Sequence, residues 1–226
     1  KSYTCRGEDA PGKTYRLVMN QLLLPGVSGH KTYVYDYDGD GRAENQLKNI
    51  MATIALAGLD VQTPLDDAVN QGQIINLLSL TSTAVDTASC VGMTLTQGQT
   101  GPKPRFDGTD VFAPVAKPGS VLGAALASMQ LKSVESKNLK SDTESQFELQ
   151  ISLGGSPLKL PLRGVHVEGT FQMAGPFWQI QSGALYGAIA KKDIDDKVLP
   201  AIADQLTVLI RSSPMSSTAQ TIINLF

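Results

Sequence analysis

The stretch Phe147-Glu148-Leu149-Gln150-Ile151-Ser152-Leu153 carries an apolar residue at every second position. Successive side chains of a β-strand point to opposite faces, so this alternation predicts a strand with one buried and one solvated face. The stretch Val165-His166-Val167-Glu168-Gly169-Thr170-Phe171 repeats the pattern. A sheet that is solvated on one face is typical of antiparallel pairing. These two stretches therefore favour a fold that is mainly β.

We predict that these two stretches form strands over residues 146–153 and 164–172. Strand signals are also present on both sides of them. Further segments combine alternation with β-branched and aromatic residues, and clusters of Gly and Pro separate them. They cover residues 14–24, 31–37, 73–82, 90–97, 106–115, 125–134, 158–162 and 178–188. The most polar segment, residues 136–145, is predicted to be a loop. Many short strands with frequent turns predict an antiparallel β-sandwich, jelly-roll-like, with a few flanking helices.

Helical periodicity appears towards the two ends of the chain. Gly58 stands where a C-terminal cap belongs, after four apolar residues with the i, i+3, i+4, i+7 spacing of one helix face. These four are Leu47, Ile50, Met51 and Ile54. A second short helix is predicted from Thr63, acting as the N-cap, to about Gly72. Residues 192–211 gather their apolar residues on one side and predict a third helix, and residues 217–226 predict a fourth.

Length and composition fit one globular domain. The chain has 226 residues, 42% of them hydrophobic, and a formal net charge of −2. We predict a single β-rich domain over 1–226, with N-terminal strands, an acidic loop and helices in 1–72, the sandwich in 73–190 and C-terminal helices in 191–226. The sequence has no basic cluster of the kind that binds nucleic acid. It has no apolar run near the roughly 18 residues that span a bilayer, so we expect no transmembrane segment.

The two cysteines bear on the compartment. Cys5 and Cys90 match no spacing of a metal or redox motif, and Cys5 lies in a polar, turn-like setting. A disulfide between them implies an oxidising compartment, and two unrelated free thiols are the alternative. The chain opens at Lys1 without a Met, which we interpret as a mature product whose leader was removed. We therefore expect a secreted or cell-envelope protein, with a lipid anchor on the precursor left open.

The run Asp36-Tyr37-Asp38-Gly39-Asp40-Gly41-Arg42-Ala43-Glu44-Asn45 carries the clearest chemistry. Carboxylates at alternate positions can converge on one cation, and calcium accepts about six to eight oxygen ligands at flexible geometry. The predicted ligands are the carboxylates at the first, third and fifth positions and the carbonyl at the seventh, namely Asp36, Asp38, Asp40 and Arg42. Carboxylates this close repel one another unless a cation neutralises them, which favours Ca²⁺. Magnesium is less suited, because it demands stricter geometry and retains its waters.

The run departs from the EF-hand pattern at its end. Leu47 occupies the twelfth position, where a bidentate Glu belongs. We expect Glu44, Asn45 or a carboxylate from elsewhere to close the site, within a strand–loop–helix arrangement that has a structural rather than a signalling role. The alternative is a hydrated acidic turn that caps the following helix without any metal.

The sequence offers few combinations of residues that could form a catalytic site. It contains no nucleophile elbow, zinc-protease motif, phosphate-binding loop or dinucleotide fingerprint. His166 and Glu168 would share one strand face, and we interpret them as a solvent-facing pair because no nucleophile accompanies them. A hydrolase with paired carboxylates is a further alternative, with Asp107, Asp110, Glu148 and Glu168 as candidate members.

Two other features have both a functional and a structural interpretation. Trp178, the single Trp of the chain, can act as a platform that stacks on a sugar, although a lone Trp more often belongs to a core. Asp193, Asp195 and Asp196 form a second acidic cluster near a helix start, where the helix dipole explains Asp193 without a metal. We therefore keep carbohydrate binding as an alternative function and predict no second metal site.

Five short motifs follow one another in a distinctive order along the chain. They are residues 35–41 (YDYDGDG), 44–47 (ENQL), 158–167 (LKLPLRGVHV), 183–189 (GALYGAI) and 198–203 (VLPAIA). In this order they resemble a group of predicted secreted proteins and lipoproteins that is abundant in myxobacteria and related predatory or soil bacteria. The resemblance implies a secreted or envelope location. It also implies calcium binding by Asp36, Asp38 and Asp40, with Glu44 and Asn45 as further candidates, and it implies no catalytic residue.

The resulting expectation is a calcium-stabilised domain at the cell surface or outside the cell, with a structural or interaction role and without catalysis. If it self-associates to a homo-oligomer, we expect strand addition at an exposed sheet edge. A separate cell-surface partner is the other expectation. A carbohydrate-binding module, with a glycan ligand, and a hydrolase with paired carboxylates stay as alternatives.

Overall fold

The structure is a computed structural model that describes residues 12–26, 34–37, 39–56, 60–83, 91–115, 125–135, 138–141, 145–153 and 156–212. Within them the chain is mainly β with α, as predicted. The strands are β1 (Lys13–Val18), β2 (Asn76–Ser82), β3 (Val91–Gln97), β4 (Ala125–Glu135), β5 (Asn138–Ser141), β6 (Ser145–Leu153), β7 (Ser156–Ala174) and β8 (Phe177–Ile189). The helices are α1 (Gln46–Leu56), α2 (Gln62–Asn70), α3 (Lys191–Asp193) and α4 (Leu199–Ser212), with a π-helical turn over Ile194–Val198.

The eight strands form one sheet in the order β1-β2-β3-β4-β5-β7-β6, and β8 pairs with β7. The paired strands whose register is defined are antiparallel. This agrees with the antiparallel pairing that the alternation of apolar residues predicts. Strand β7 is the longest, and β8 follows it from Ala174↔Phe177 to Leu162↔Ile189.

The chain groups into two compact units that are each built from separate segments. One contains Lys1–Asn20, Val69–Leu149 and Pro161–Ile189; the other contains Gln21–Ala68, Gln150–Leu160 and Ala190–Phe226. The first unit holds most of the sheet, and the second holds the acidic run and α1. A single domain over 1–226 stays a prediction.

Aromatic side chains show how the sheet of the first unit curves. The ring of Tyr15 in β1 packs edge-on against Phe171 of β7 and Trp178 of β8, with ring centroids 5.4 and 5.7 Å apart. Five strand spacings separate β1 from β7 in the sheet order, which in a flat sheet would be roughly 24 Å. The sheet therefore curls until its first strand returns to β7 and β8. Phe171 is fully buried in the resulting core, with Leu80, Val91 and Val165.

The second unit has its own core, made largely by two helices. Met51 and Ile54 of α1 are buried, as their spacing predicted, and Leu65 of α2 is fully buried. Gln62 is a buried polar residue whose side-chain amide makes three hydrogen bonds, one of them from its Nε2 to Oδ1 of Asp66 at 2.8 Å. Its Nε2 donates to the carbonyl of Leu22 at 2.9 Å and its Oε1 accepts from the amide of Leu24 at 3.0 Å. Gln62 therefore ties the extended segment before residue 25 to the start of α2.

The N-cap of α2 differs from the prediction. The Oδ1 of Asp60 accepts hydrogen bonds from the amides of Gln62 and Thr63, both at 3.0 Å, so Asp60 caps the helix and Thr63 lies inside it. The predicted end near Gly72 is confirmed, because α2 stops at Asn70 and Gly72 takes a positive φ of 73°. The sequence prediction placed this N-cap three residues too late, because it took Pro64 as the first helical position.

Residues 106–115 do not form the predicted strand. Within this segment Pro114 makes an isolated bridge to Gly98, and Phe106 has a left-handed φ of 54°. The Oδ2 of Asp110 accepts from the amides of Arg105 and Phe106 at 2.8 and 2.7 Å, which folds this part of the chain into a turn. Side-chain acceptors for backbone amides compete with a strand ladder, and here the turn prevails.

Two further strand predictions need correction. Residues 136–145, predicted as a loop, contain β5, which pairs with both β4 and β7. Residues 158–162 and 164–172, predicted as two strands, are one strand, because Gly164 absorbs a bulge in β7 with a positive φ of 53°. Tertiary pairing keeps both polar and glycine-containing segments in the sheet where local signals indicated breaks.

The remaining segments are shorter than predicted or lie partly outside the described residues. In 31–37, the described part makes one bridge, Tyr35↔Glu44, instead of a strand. The predicted helix 192–211 is confirmed in position, but the π-helical turn interrupts it before α4. Cys5, Cys90, Gly58 and residues 217–226 lie outside the described residues. The disulfide and the last helix therefore stay predictions.

Candidate metal loop

The acidic run forms a loop whose two ends are joined by the backbone. The amide of Glu44 donates to the carbonyl of Tyr35 at 3.0 Å, and the amide of Tyr35 donates to the carbonyl of Glu44 at 3.2 Å. The ring of Tyr35 also packs edge-on against Tyr37, with centroids 5.8 Å apart. The backbone is therefore joined where the acidic run begins and where it ends.

Asp36 organises the interior of this loop. Its Oδ1 accepts from the amide of Gly39 at 2.8 Å, and its Oδ2 accepts from the amide of Gly41 at 3.0 Å. Gly39 and Gly41 have φ values of 76° and 83°, a region that favours glycine. The loop thus wraps around the carboxylate at its first position, with glycines at the two residues that must turn. A carboxylate has about four lone-pair sites, so both oxygens of Asp36 retain acceptor capacity.

Asp40 and Asn45 have different local roles. The Oδ1 of Asp40 accepts from the amide of Arg42 at 2.8 Å, which fixes the peptide at the sixth and seventh positions. The Oδ1 of Asn45 accepts from the amide of Lys48 at 2.9 Å, and α1 begins at Gln46. Asn45 is therefore the N-cap of α1. The Oδ1 of Asn45, one of the predicted closing ligands, is therefore engaged in this cap, whereas the side chain of Glu44, the other, is exposed.

Asp38, the predicted ligand at the third loop position, lies outside the described residues. In the described part of the chain, no group of three His, Cys, Asp or Glu side chains is placed to hold a metal ion. An open cavity of about 350 Å³ adjoins the loop and the start of α1. Its lining residues are Val34, Glu44, Asn45, Gln46, Lys48 and Asn49. Gln46, Lys48 and Asn49 were not predicted as site residues, although their amide and charged side chains at a helix start are visible in the sequence.

The second acidic cluster is neutralised by lysines one helical turn away. Lys197 pairs with Asp193 at 2.9 Å, Lys191 pairs with Asp195, and Lys192 pairs with Asp196. All three are i,i+4 pairs along one helical segment. Ion pairs at this spacing stabilise a helix by about 0.3–0.5 kcal/mol each. The cluster therefore has a structural explanation, as the sequence indicated for Asp193.

The candidate hydrolytic carboxylates in the 105–110 loop hold that loop together. Asp107 Oδ1 accepts from the amide and the hydroxyl of Thr109 at 2.9 and 2.6 Å. The Thr109 hydroxyl is the main cause that lowers the pKa of Asp107 below its ordinary value, followed by the Thr109 amide. Both Asp107 and Asp110 also face Arg105, at 3.9 and 3.6 Å from its Nε. The turn expected at Gly108 is present, with a φ of 84°.

His166 and Glu168 have separate hydrogen-bond partners. The Nδ1 of His166 lies 3.3 Å from the Oγ of Ser141, which also accepts from the amide of Val167 at 3.1 Å. The hydroxyl of Tyr186 donates to Glu168 at 2.6 Å. The side chains of His166 and Glu168 are half-buried rather than facing open solvent. Ser141 and Tyr186 were missed in the sequence, because their approach depends on the pairing of β7 with β5 and β8.

Trp178 is a member of an aromatic cluster. Its indole stacks on Phe171, with 4.6 Å between ring centroids and 3° between planes, and Tyr15 packs edge-on beside it. One face of the indole is therefore already occupied by Phe171. This packing supports the interpretation of the lone Trp as part of a core more than that of a sugar platform.

Comparison with known proteins gave no relative from which a role could be transferred. No family model matches the chain. No curated protein and no solved structure is significantly similar to it. Within the described residues, none of the helices is long and apolar enough to cross a membrane.

Proposed function

We propose that this chain is an extracytoplasmic calcium-binding domain with a structural or interaction role and without catalysis. The observation that carries the proposal is the arrangement around Asp36. A carboxylate at the first position holds two amides of its own loop, from Gly39 and Gly41, at 2.8 and 3.0 Å. These bonds fold the loop back over Asp36, and we infer that its other acidic positions turn towards the same point. Calcium would neutralise the carboxylates that alternate along this short run.

The proposed ligands follow from the loop and from the helix that ends it. Asp36, Asp38 and Asp40 would supply carboxylate oxygens, and Arg42 would supply its carbonyl. Glu44 is the better closing ligand, because the Oδ1 of Asn45 caps α1. When bound, the ion would supply positive charge that fixes the loop against the first turn of α1. The expected effect is stabilisation of the fold rather than chemistry on a substrate.

Location, shape and partners form part of the same proposal. A secreted or envelope location and a Cys5–Cys90 disulfide are consistent with a structural calcium site, since both belong to compartments outside the cytoplasm. A β-sandwich would suit the curled sheet, in which Tyr15 of the first strand packs on Phe171 and Trp178. A homo-oligomer through a sheet edge, or a cell-surface partner, is the proposed route of interaction.

The test is a calorimetric titration of the metal-stripped chain with calcium, together with its melting temperature in calcium and in chelator. We expect saturable binding at a single site and a higher melting temperature with calcium, both lost in Asp38→Ala. The matched control is Asp196→Ala, which removes an acid that is paired with Lys192 in a helix. This variant is expected to bind calcium as the parent does. Absence of binding in the parent, or loss of binding in the control alone, would overturn the proposal.

A further inference from the structure

The hairpin that joins β7 to β8 ends in an exposed apolar tip. The tip is Met173-Ala174-Gly175-Pro176-Phe177, without a polar side chain, and Gly175 and Pro176 form its turn. The side chains of Met173 and Phe177 are 50% and 51% exposed, and no atom beyond its chain neighbours lies within 4 Å of a Cβ added at Gly175. Tight turns are ordinarily rich in Asn, Asp and Ser, whose side chains suit water. This tip therefore exposes apolar surface where a polar turn is the usual choice.

The exposed side chains of the tip lie on both faces of the hairpin. Met173 lies opposite Trp178, one pair further from the turn than Phe177, and consecutive pairs of a hairpin point to opposite faces. The ring of Phe177 meets Gly108, where an added Cβ would lie 2.6 Å away, and half of its surface is still exposed. A flat protein surface would cover only one of the two faces. A fluid apolar phase would surround both.

Behind the tip the side chains become amphipathic and then polar. On the face of Met173, the half-buried indole of Trp178 lies beside the exposed thioether. On the face of Phe177, the next pair of residues is Gln172 and Gln179. Tryptophan is enriched where a bilayer meets water, since its ring is apolar and its N–H is a hydrogen-bond donor. An apolar end, an indole and a pair of amides thus follow the order of polarity across the surface of a bilayer.

The backbone of the tip suits the same location. Pro176 has no amide hydrogen, and the strands are paired as far as Ala174 and Phe177. Few backbone groups would therefore lose their water in an apolar phase. The Gln172–Gln179 pair lies about 10 Å from the turn, at roughly 3.3 Å per residue, and an interfacial segment enters the boundary of the acyl chains by about 5–10 Å.

The charges around the tip do not oppose insertion. From Gly169 to Ala190 the sequence has no charged residue. In the neighbouring loop, Arg105 faces Asp107 and Asp110, at 3.9 and 3.6 Å from its Nε. Lys13 adds a second positive charge beside the aromatic cluster. Because these charges balance, contact with a bilayer should depend on apolar insertion and little on the charge of the lipid.

We propose that the tip of the β7–β8 hairpin, residues 173–177, inserts into the surface of a lipid bilayer. The exposure of apolar side chains on both faces of the tip carries this inference. The hairpin enters only the boundary between the headgroups and the acyl chains and does not cross the bilayer. The inference goes beyond the proposed function and does not rest on the calcium loop. A second copy of the chain is the competing occupant, and the experiment distinguishes it.

The experiment is binding of the full chain to phospholipid vesicles, measured in chelator by cosedimentation. One set of vesicles is phosphatidylcholine alone, and the other also contains phosphatidylglycerol. Met173→Asp and Phe177→Asp place a carboxylate on either face of the tip. Val208→Asp is the matched control, because it makes the same change at an apolar side chain of α4 that is 59% exposed. Thermal melting shows whether each variant is folded.

A second measurement uses the unchanged chain. Trp178 is the single Trp, so its fluorescence reports on the hairpin alone. Vesicles whose acyl chains carry bromine quench an indole that lies close to them. Sedimentation velocity without vesicles shows whether the chain associates with itself through the tip.

We expect the parent and Val208→Asp to bind both kinds of vesicle with affinities within about threefold of each other. Both tip variants should bind at least about tenfold more weakly, because the apolar area that would leave water is replaced by a charge. Brominated lipid should quench Trp178 in the parent, and this result decides alone if a tip variant does not fold.

The inference is overturned by a parent that does not bind vesicles, by folded tip variants that bind unchanged, or by binding that requires phosphatidylglycerol. Absence of quenching also overturns it. Dimers of the parent that Phe177→Asp dissociates would assign the tip to a second copy instead. Calcium calorimetry is independent of these results, so the tip and the calcium site can each fail without the other.

Discussion

The phenyl ring of Phe171 and the indole of Trp178 stack at 4.6 Å with planes 3° apart. Phe171 lies opposite Ile180 and Trp178 lies opposite Met173, so the two aromatic residues are diagonal neighbours across β7 and β8. Diagonal pairs of aromatic side chains on one sheet face contribute to the pairing itself. Because Tyr15 completes the cluster, this stack also holds β1 beside β7 and β8.

Truncation of Phe171 should be strongly destabilising. Phe171→Ala empties a fully buried site and is expected to lower the free energy of unfolding by about 3–5 kcal/mol. Urea unfolding followed by the fluorescence of Trp178, the single Trp, measures this directly. Val111→Ala, at a side chain that is 97% exposed, is the control and should change stability by no more than about 0.5 kcal/mol. Equal losses in the two variants would contradict this assignment of the core.

The cap of α2 predicts a dependence of stability on pH. Bonds from the Thr63 hydroxyl, the Thr63 amide and the Gln62 amide lower the pKa of Asp60 below its ordinary value of 3.8. A lowered pKa in the folded state means that the carboxylate stabilises the fold above pH 3.8 and that this stabilisation is lost as the pH falls through the lowered value. Asp60→Ala should therefore reduce stability by about 1 kcal/mol at neutral pH.

The sign of this effect can be checked with Asp60→Asn, which keeps a capping oxygen but does not titrate. The stability difference between the parent and Asp60→Asn should shrink as the pH is lowered from 6 towards about 3, because protonation removes the advantage of the carboxylate. Urea unfolding at several pH values measures it. A difference that stays constant or grows towards acid would show that Asp60 does not cap the helix as a carboxylate.

The closing ligand of the proposed metal site can be distinguished by two neighbouring substitutions. Glu44→Gln should weaken calcium binding by about tenfold, because it removes a charged ligand and keeps the size of the side chain. Asn45→Ser retains an oxygen that caps α1 and should leave calcium affinity nearly unchanged. Calorimetric titration of both variants decides between them. Loss of affinity in Asn45→Ser, with retention in Glu44→Gln, would assign closure to Asn45.

Gly108 should tolerate no side chain. A Cβ at this position would lie 2.6 Å from the ring of Phe177, and its φ of 84° is strained for other residues. Gly108→Ala is expected to reduce the free energy of unfolding by about 1–3 kcal/mol. Gly101→Ala is the matched control, because no atom lies within 4 Å of its added Cβ. Similar thermal melting of the two variants would mean that the 105–110 loop is not held against β8.

Much of the sheet follows from alternation, and the exceptions have physical causes. Predictions for β4, β6 and β8 differ from the structure by one residue at their ends. Residues 106–115 include β-branched and aromatic residues typical of a strand, but Asp110 captures two backbone amides of its own turn. Residues 138–141 looked like a loop because they are polar. They form β5 because β4 and β7 lie on either side and bury Leu139.

The candidate site also has features that the sequence predicts and features that depend on the fold. The acidic spacing of residues 36–45 and the helix after it are local, and the sequence shows both. The hydrogen bond between Asn45 and Lys48 is also local. Only the structure shows that it uses the Oδ1 of Asn45, the same oxygen that would bind a metal ion. Contacts such as Ser141 with His166, and Tyr186 with Glu168, bring together residues 25 and 18 positions apart. No periodicity in the sequence predicts them, because strand register decides them.

The pairing of Tyr35 with Glu44 makes residues 36–43 a replaceable insertion. The chain enters and leaves at the spacing of two neighbouring strands, so a two-residue turn can bridge the same gap without moving α1 or its Asn45 cap. A chain shortened in this way is expected to fold like the parent but to lack the proposed calcium ligands. In the opposite direction, the same eight-residue segment can be moved onto a tight hairpin of another scaffold, since it brings its own turn glycines and its own internal acceptor at Asp36.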